Sequence, residues 1–203
     1  MKQCPRRPAH RADKKVRILE AAAGVFVRNG FHETRISEIA RAAGVADGTI
    51  YLYFASKEAL LIALFDDNVL RFFRTLDRAL SSLGCPEDKL LQIVELQLGL
   101  LDRERVLAEL LTVNLRQSTP AIREHLAPRF VAYLDRIAQV VADGQKTGRF
   151  REDISPRLAA RAVFGALDGV TLTWAMSGAH EGDLARTSET IGKMLLEGLR
   201  ANP

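Results

Sequence analysis

Cysteine is nearly absent from the 203-residue chain: Cys4 and Cys85 stand far apart, with no partners at metal-ligand spacing. That excludes a disulfide-stapled scaffold and a cysteine zinc site, and it makes a reducing, cytoplasmic setting the expectation. The four histidines, His10, His32, His125 and His180, are scattered, with no pair one helical turn apart. Nucleophile-elbow and phosphate-loop glycine patterns are missing as well, so no catalytic group, cofactor or metal site is expected. No uninterrupted apolar stretch is long enough to span a bilayer, and the basic N-terminus lacks the apolar run of a signal peptide, so no membrane partner is expected. Strand-like alternation, internal repeats and low-complexity tracts are missing too. Helical periodicity is what remains.

A hydrophobic content of 47% with 27% charged residues is ordinary for a soluble globular chain. The net charge of +4 hides a segregation. Residues 1–57 carry 11 Lys and Arg against 5 Asp and Glu, net +6, whereas residues 58–203 carry 18 against 20, net −2. One end is suited to a polyanion and the other is not. Residues 1–12, with two prolines and three arginines up to Arg11, read as a flexible basic arm. It either adds phosphate contacts or is a terminus without a role.

The periodicity predicts an all-α chain. A first helix over 13–29 has Val16, Leu19, Ala23, Phe26 and Val27 as its apolar stripe and Gly30 as its stop. Two short helices follow, to Ala43 and over 47–53. Ser56 reads as the N-cap of a long helix to about residue 83, ended by Gly84-Cys-Pro86. Residues 87–101 are apolar on nearly every side and should form the centre of a second domain. Further helices are expected over 104–116, over 120–147 with a kink at Pro128, from Ser155-Pro156 to 176, and over 184–201. Small residues recur on the last two, at Ala162, Gly165, Ala166 and Gly169 and at Gly192 and Gly198, where another helix can approach closely. Such stripes fit either a four-helix homodimer interface or packing within the chain.

The segment from Thr34 to Phe54 carries the most information. Ile36, Ile39, Ala40 and Ala43 share one helical face, Thr34 precedes it as an expected cap, and Gly44 supplies a cheap positive φ that stops it. The next helix has Ile50 to pack inward, while Gly48, Thr49, Tyr51 and Tyr53 offer a close backbone approach, a hydroxyl and two phenols. Those groups suit phosphates and base edges, so the pair reads as a DNA-reading helix-turn-helix; the alternative is a plain helical hairpin inside a bundle. Thr34, Arg35, Tyr53 and Lys57 are the expected backbone contacts, and Gly48, Thr49 and Tyr51 the expected groove contacts.

Residues 15–73 resemble the DNA-binding domain of the TetR family of bacterial regulators. The resemblance rests on Ile18-Leu-Glu-Ala-Ala22, Phe26, Asn29-Gly-Phe31, Thr34, Ile39-Ala40, Ala43-Gly-Val45, Gly48-Thr-Ile-Tyr51, Tyr53-Phe54, Lys57-Glu58 and Leu60. It implies an all-α homodimer in which an N-terminal three-helix domain (13–56) reads double-stranded operator DNA. A C-terminal six-helix domain (57–203) would bind a small-molecule effector and dimerise. Where the family often has a small hydroxyl residue before the recognition helix, this chain has Ala46, followed by Asp47. A narrower resemblance, through Gly44-Val-Ala-Asp-Gly-Thr-Ile-Tyr-Leu-Tyr-Phe54 together with Leu115-Arg-Gln-Ser118, Arg157-Leu-Ala159, Val163-Phe-Gly165 and Thr173-Trp-Ala-Met176, is to the fatty-acid-degradation regulators of the TetR type. It implies a repressor released from DNA by long-chain acyl-CoA.

Such an effector needs an apolar tunnel and cations at its mouth. Leu98, Leu101, Phe130, Phe164 and Trp174 are the candidates for the first, and Arg116 and Arg123 lead the candidates for the second, with Arg103, Arg105 and Arg129 nearby in sequence. Two rival readings stand beside it. One is a regulator of the same fold that senses a drug-like ligand and controls an efflux pump. The more distant one is an acyl-thioester enzyme using Asp168, a carboxylate bracketed by apolar residues.

Overall fold

The computed structural model describes residues 8–104, 108, 119–177 and 183–201, with side chains from Asp13 onward. Among them the chain is helical: α1 (Pro8–Asn29), α2 (Ile36–Ala43), α3 (Asp47–Tyr51), α4 (Lys57–Ser82), α5 (Pro86–Arg103), α6 (Pro120–Lys146), α7 (Pro156–Met176) and α8 (Asp183–Leu199). The helix expected over 104–116, with Arg105 and Arg116, falls outside the described residues apart from its first residue and Ala108. No described helix is long and apolar enough to cross a membrane.

Most boundaries follow from local chemistry. Gly30 and Gly44 take φ of 75° and 63°, and beyond Gly44 the N–H of Val45 donates to the Ala40 carbonyl at 2.9 Å, closing α2 in the left-handed way glycine allows. The hydroxyls of Ser56, Thr119 and Ser155 accept from the N–H three residues on, opening α4, α6 and α7, the last two with proline in the first turn. One boundary moves: α1 starts at Pro8, five residues before the expected start at Asp13. Pro128 lies inside α6.

The apolar stripes close into two cores. Ile18, Ala22, Val25 and Phe26 of α1 meet Ile39, Ala40 and Ile50 of α2 and α3, and α4 adds Leu60, Leu61, Leu64 and Phe65. Ile122 and Leu126 of α6 complete this N-terminal core from far along the sequence. The larger core surrounds α5, where Leu90, Ile93, Val94 and Leu98 are sealed against α6, α7 and α8. The segment beginning at residue 57 therefore serves both cores.

Two glycines mark close approaches. At Gly144 a Cβ would stand 2.1 Å from the ring of Phe150, which folds back under α6. That loop is tied to the C-terminus by Arg151 N–H to the Leu199 carbonyl and Ala201 N–H to the Arg149 carbonyl, an isolated bridge that periodicity did not foreshadow. At Gly192 a Cβ would stand 2.9 Å from Leu91, so this part of the α8 stripe packs within the chain. Gly165, Gly169 and Gly198 have nothing within 4 Å of a Cβ and remain on the surface.

Candidate nucleic-acid interface and ligand cavity

The short α3 is held by its neighbours. Five residues cannot sustain a helix alone, and Ile50, fully buried, anchors α3 in the N-terminal core. Ala46 is its N-cap and makes no side-chain cap hydrogen bond. The opposite face is bare: Gly48 is exposed, Tyr51 is 56% exposed and Leu52, which the sequence reading passed over, is 72% exposed. Thr49 and Tyr53 are half-buried, with Tyr53 tilted against Phe54 at 6.5 Å. Arg35 is exposed at the start of α2, where its backbone N–H donates to the Glu38 carboxylate at 2.8 Å.

Thr34 and Lys57 both make contacts inside the chain. Thr34 is 3% exposed, and its hydroxyl donates to the Gly30 carbonyl at 2.7 Å, so it neither caps α2 nor faces outward. The Lys57 ammonium donates to the carbonyls of His32 and Thr34 at 2.8 and 3.0 Å and stands over the Phe31 ring at 4.8 Å. It straps α4 to the turn between α1 and α2. Arg17, also unflagged, donates to the Ala43 carbonyl at 2.6 Å and satisfies an orphan acceptor at the C-terminus of α2.

The second feature is a cavity of about 510 Å³, within the range of small-molecule sites. α4 contributes Phe65, Val69, Phe72 and Phe73, α5 Leu100 and Leu101, α6 Leu126, Phe130 and Tyr133, and α7 Phe164. Four expected ligand residues, Leu101, Arg123, Phe130 and Phe164, are brought together on its wall, Phe130 edge-on to Phe164 at 4.8 Å. Leu98 and Trp174 are not on it: both are buried in the larger core, where α5 and α7 turn those positions toward other helices. Arg103 is also absent from the lining, and Arg116 lies outside the described residues.

Polar groups are few. The buried Tyr133 hydroxyl donates to the Gln97 side-chain carbonyl, and desolvation pushes the phenol well above its ordinary pKa, so it stays neutral. Thr171 and Asp168 also reach the wall. Exposure of Phe130, at 42%, and of Arg123 identifies this end of α6 as the rim, where Arg129 joins them. The arrangement can take a long apolar body inside and an anionic group outside. No cluster among the described residues has the makings of a metal site.

Comparison with known proteins follows the same division. Residues 18–64 match the family model of bacterial regulatory proteins of the tetR family, and residues 65–198 match that of the YsiA-like C-terminal region. The chain is 32% identical over 186 residues to the fatty acid metabolism regulator protein of Bacillus subtilis (strain 168), covering 92% of this chain and 95% of the relative. The structure of the transcriptional regulator FadR from Bacillus subtilis in complex with stearoyl-CoA superimposes with a TM-score of 0.85 at 32% identity, covering 90% of this chain and 98% of that one. The fatty acid degradation regulator FadR from Bacillus halodurans superimposes with a TM-score of 0.84 at 34% identity, covering 91% and 99%.

Proposed function

The chain belongs to the TetR family of DNA-binding bacterial regulators, and from that premise we propose that it is a homodimeric repressor of fatty-acid metabolism genes that leaves its operator when long-chain acyl-CoA fills the cavity. The observation that carries this reading is a cavity with apolar walls and cations at its rim, lined by four helices of which two, α4 and α6, also close the DNA-reading head. A relative of the same fold holds stearoyl-CoA. Each methylene moved out of water contributes about 0.8 kcal/mol, so affinity should climb with chain length until the cavity is full. Arg123 and Arg129 stand where phosphates would emerge.

On the DNA side, Arg35 and Tyr53 hold the backbone while Gly48, Thr49 and Tyr51 enter the major groove. Thr34 and Lys57 act behind them by fixing the turn that presents α2. The exposed Gly48 supports this reading, since nothing inside the chain requires a glycine there. The second protomer packs on the open face of α7 and α8, around Leu158, Gly165, Gly169, Met194 and Gly198. It sets the two heads about 34–36 Å apart, one helical turn of a pseudo-palindrome.

The test is thermal unfolding with acyl-CoAs of increasing length, with free CoA and free fatty acid as controls, since a ligand bound only by the folded state raises the midpoint. A rise that grows with chain length and is absent from both controls is the expected result; no shift at saturation sinks the acyl-CoA reading. A second reading has a specific support, because six aromatic rings and Asp168 in the lining also suit a cationic aromatic drug. A rise with ethidium and none with acyl-CoA would select it.

A further inference from the structure

Two ion pairs tie α4 to α6, and they differ in reach. Asp77 is gripped at two points by Arg136, Nε to Oδ1 at 2.7 Å and Nη2 to Oδ2 at 2.8 Å. Arg136 also donates to the Ala132 carbonyl and lies 4.1 Å over the Phe73 ring, and it takes no part in the cavity wall. Asp66 is held by Arg129 through a single Nε contact of 3.1 Å, with His125 Nε2 3.5 Å from its other oxygen. Arg129 does line the cavity, and its side chain is 40% exposed. The residues around this pair belong to both compartments: Phe65 and Leu126 line the cavity and also complete the N-terminal core.

We propose that Asp66 is an internal counter-ion that occupies the cavity's anion site until an anionic ligand head takes Arg129 from it, opening the α4–α6 tie beside the DNA-reading head. The inference rests on the reading of the cavity as a site for a long apolar chain with an anionic head. An anion approaching Arg129 meets the Asp66 carboxylate on the same guanidinium, and two like charges at that range repel. Ligand and Asp66 therefore compete for one partner. Asp66 follows Phe65 on α4 and Arg129 stands one turn beyond Leu126 on α6, so loss of the tie bears on two residues of the N-terminal core. The Asp77 tie, with both carboxylate oxygens paired and neither partner on the cavity wall, stays closed and keeps the helices together at the far end.

The experiment uses a duplex selected by the wild-type protein from a random pool, with operator affinity read by anisotropy at fixed salt. Stearoyl-CoA, stearic acid and stearyl alcohol are the probes. Asp66→Asn should bind stearoyl-CoA about two- to fivefold tighter, the range a partly exposed ion pair commands, and should bind stearyl alcohol unchanged. The fold-loss of operator affinity caused by saturating stearoyl-CoA should shrink by a similar factor, because binding and release are reciprocal. Asp66→Glu should restore the wild-type response, and Asp77→Asn should leave both readouts alone. A gain shared by stearic acid supports recognition of any anionic head; a gain confined to stearoyl-CoA assigns it to the CoA phosphates. An equal gain for stearyl alcohol, or no change in Asp66→Asn while the wild type responds, overturns the counter-ion role alone. A wild type indifferent to stearoyl-CoA overturns the acyl-thioester reading and this inference with it.

Discussion

In the N-terminal core Ile18, Ala22, Phe26, Ile39, Ala40 and Ile50 are sealed against one another, whereas the core around α5 leaves about 510 Å³ between α4, α6 and α7. The contrast separates two tasks. A surface that reads a fixed polymer needs side chains held in one geometry, and dense packing with straps such as Lys57 supplies that. A body that takes a ligand needs unfilled volume, which lowers stability until something enters. α4 and α6 belong to both, so the two regions share part of their walls.

Truncation should break the comparison most plainly. Phe26→Ala, in the sealed core, should cost about 3–5 kcal/mol by urea unfolding. Phe130→Ala removes the same ring from the rim of the hollow, where 42% of the residue already meets water, and should cost under about 1 kcal/mol while weakening ligand binding. Equal costs would mean that the cavity is not a pre-formed void. Overfilling runs the other way: Ala40→Leu should destabilise by about 1–3 kcal/mol, whereas Ala127→Leu, facing the cavity, should leave the melting midpoint nearly unchanged and lower acyl-CoA affinity.

Gly48→Ala sharpens the comparison from the DNA side. An exposed helical glycine costs up to about 1 kcal/mol relative to alanine, and no neighbour opposes a Cβ there. The variant should melt slightly higher and bind operator more weakly, opposite signs in two measurements on one protein. Higher stability with undiminished DNA affinity would remove Gly48 from the groove.

The same division explains what was legible in the sequence. Boundaries set by a cap or a glycine are written within a few residues, so Gly44, Ser56 and Ser155 could be read directly. The intrachain partners of Thr34 and Lys57, the Gly30 carbonyl and the carbonyls of His32 and Thr34, were not legible because they are set by a turn rather than a period. The cavity was the least legible. Periodicity shows that the faces of α4 and α5 are apolar, but not how far apart they stand. Hence Leu98 and Trp174 were expected on the wall and lie in solid core, while Phe65, Phe72 and Tyr133, which face the void, went unnamed as lining.

The smallest expected effect distinguishes the two ties of the shared helices. Hydrogen bonding from Arg136 holds the Asp77 carboxyl below its ordinary pKa against a smaller desolvation penalty, with the charge of Arg136 adding the least. A carboxyl with a depressed pKa in the fold contributes stability that is fully present above its unfolded value and is lost as pH falls through the folded one. The wild type should therefore lose a small increment of stability below about pH 4, and Asp77→Asn should lack that increment while matching the wild-type slope at neutral pH. With the Asp77 side chain half exposed, solvent screening holds the pair to a few tenths of a kcal/mol up to about 1 kcal/mol. Melting curves of the two proteins between pH 3 and 6 that converge at the acid end fit a purely structural tie. A change in stearoyl-CoA response in the same variant would show that the outer tie also communicates with the cavity.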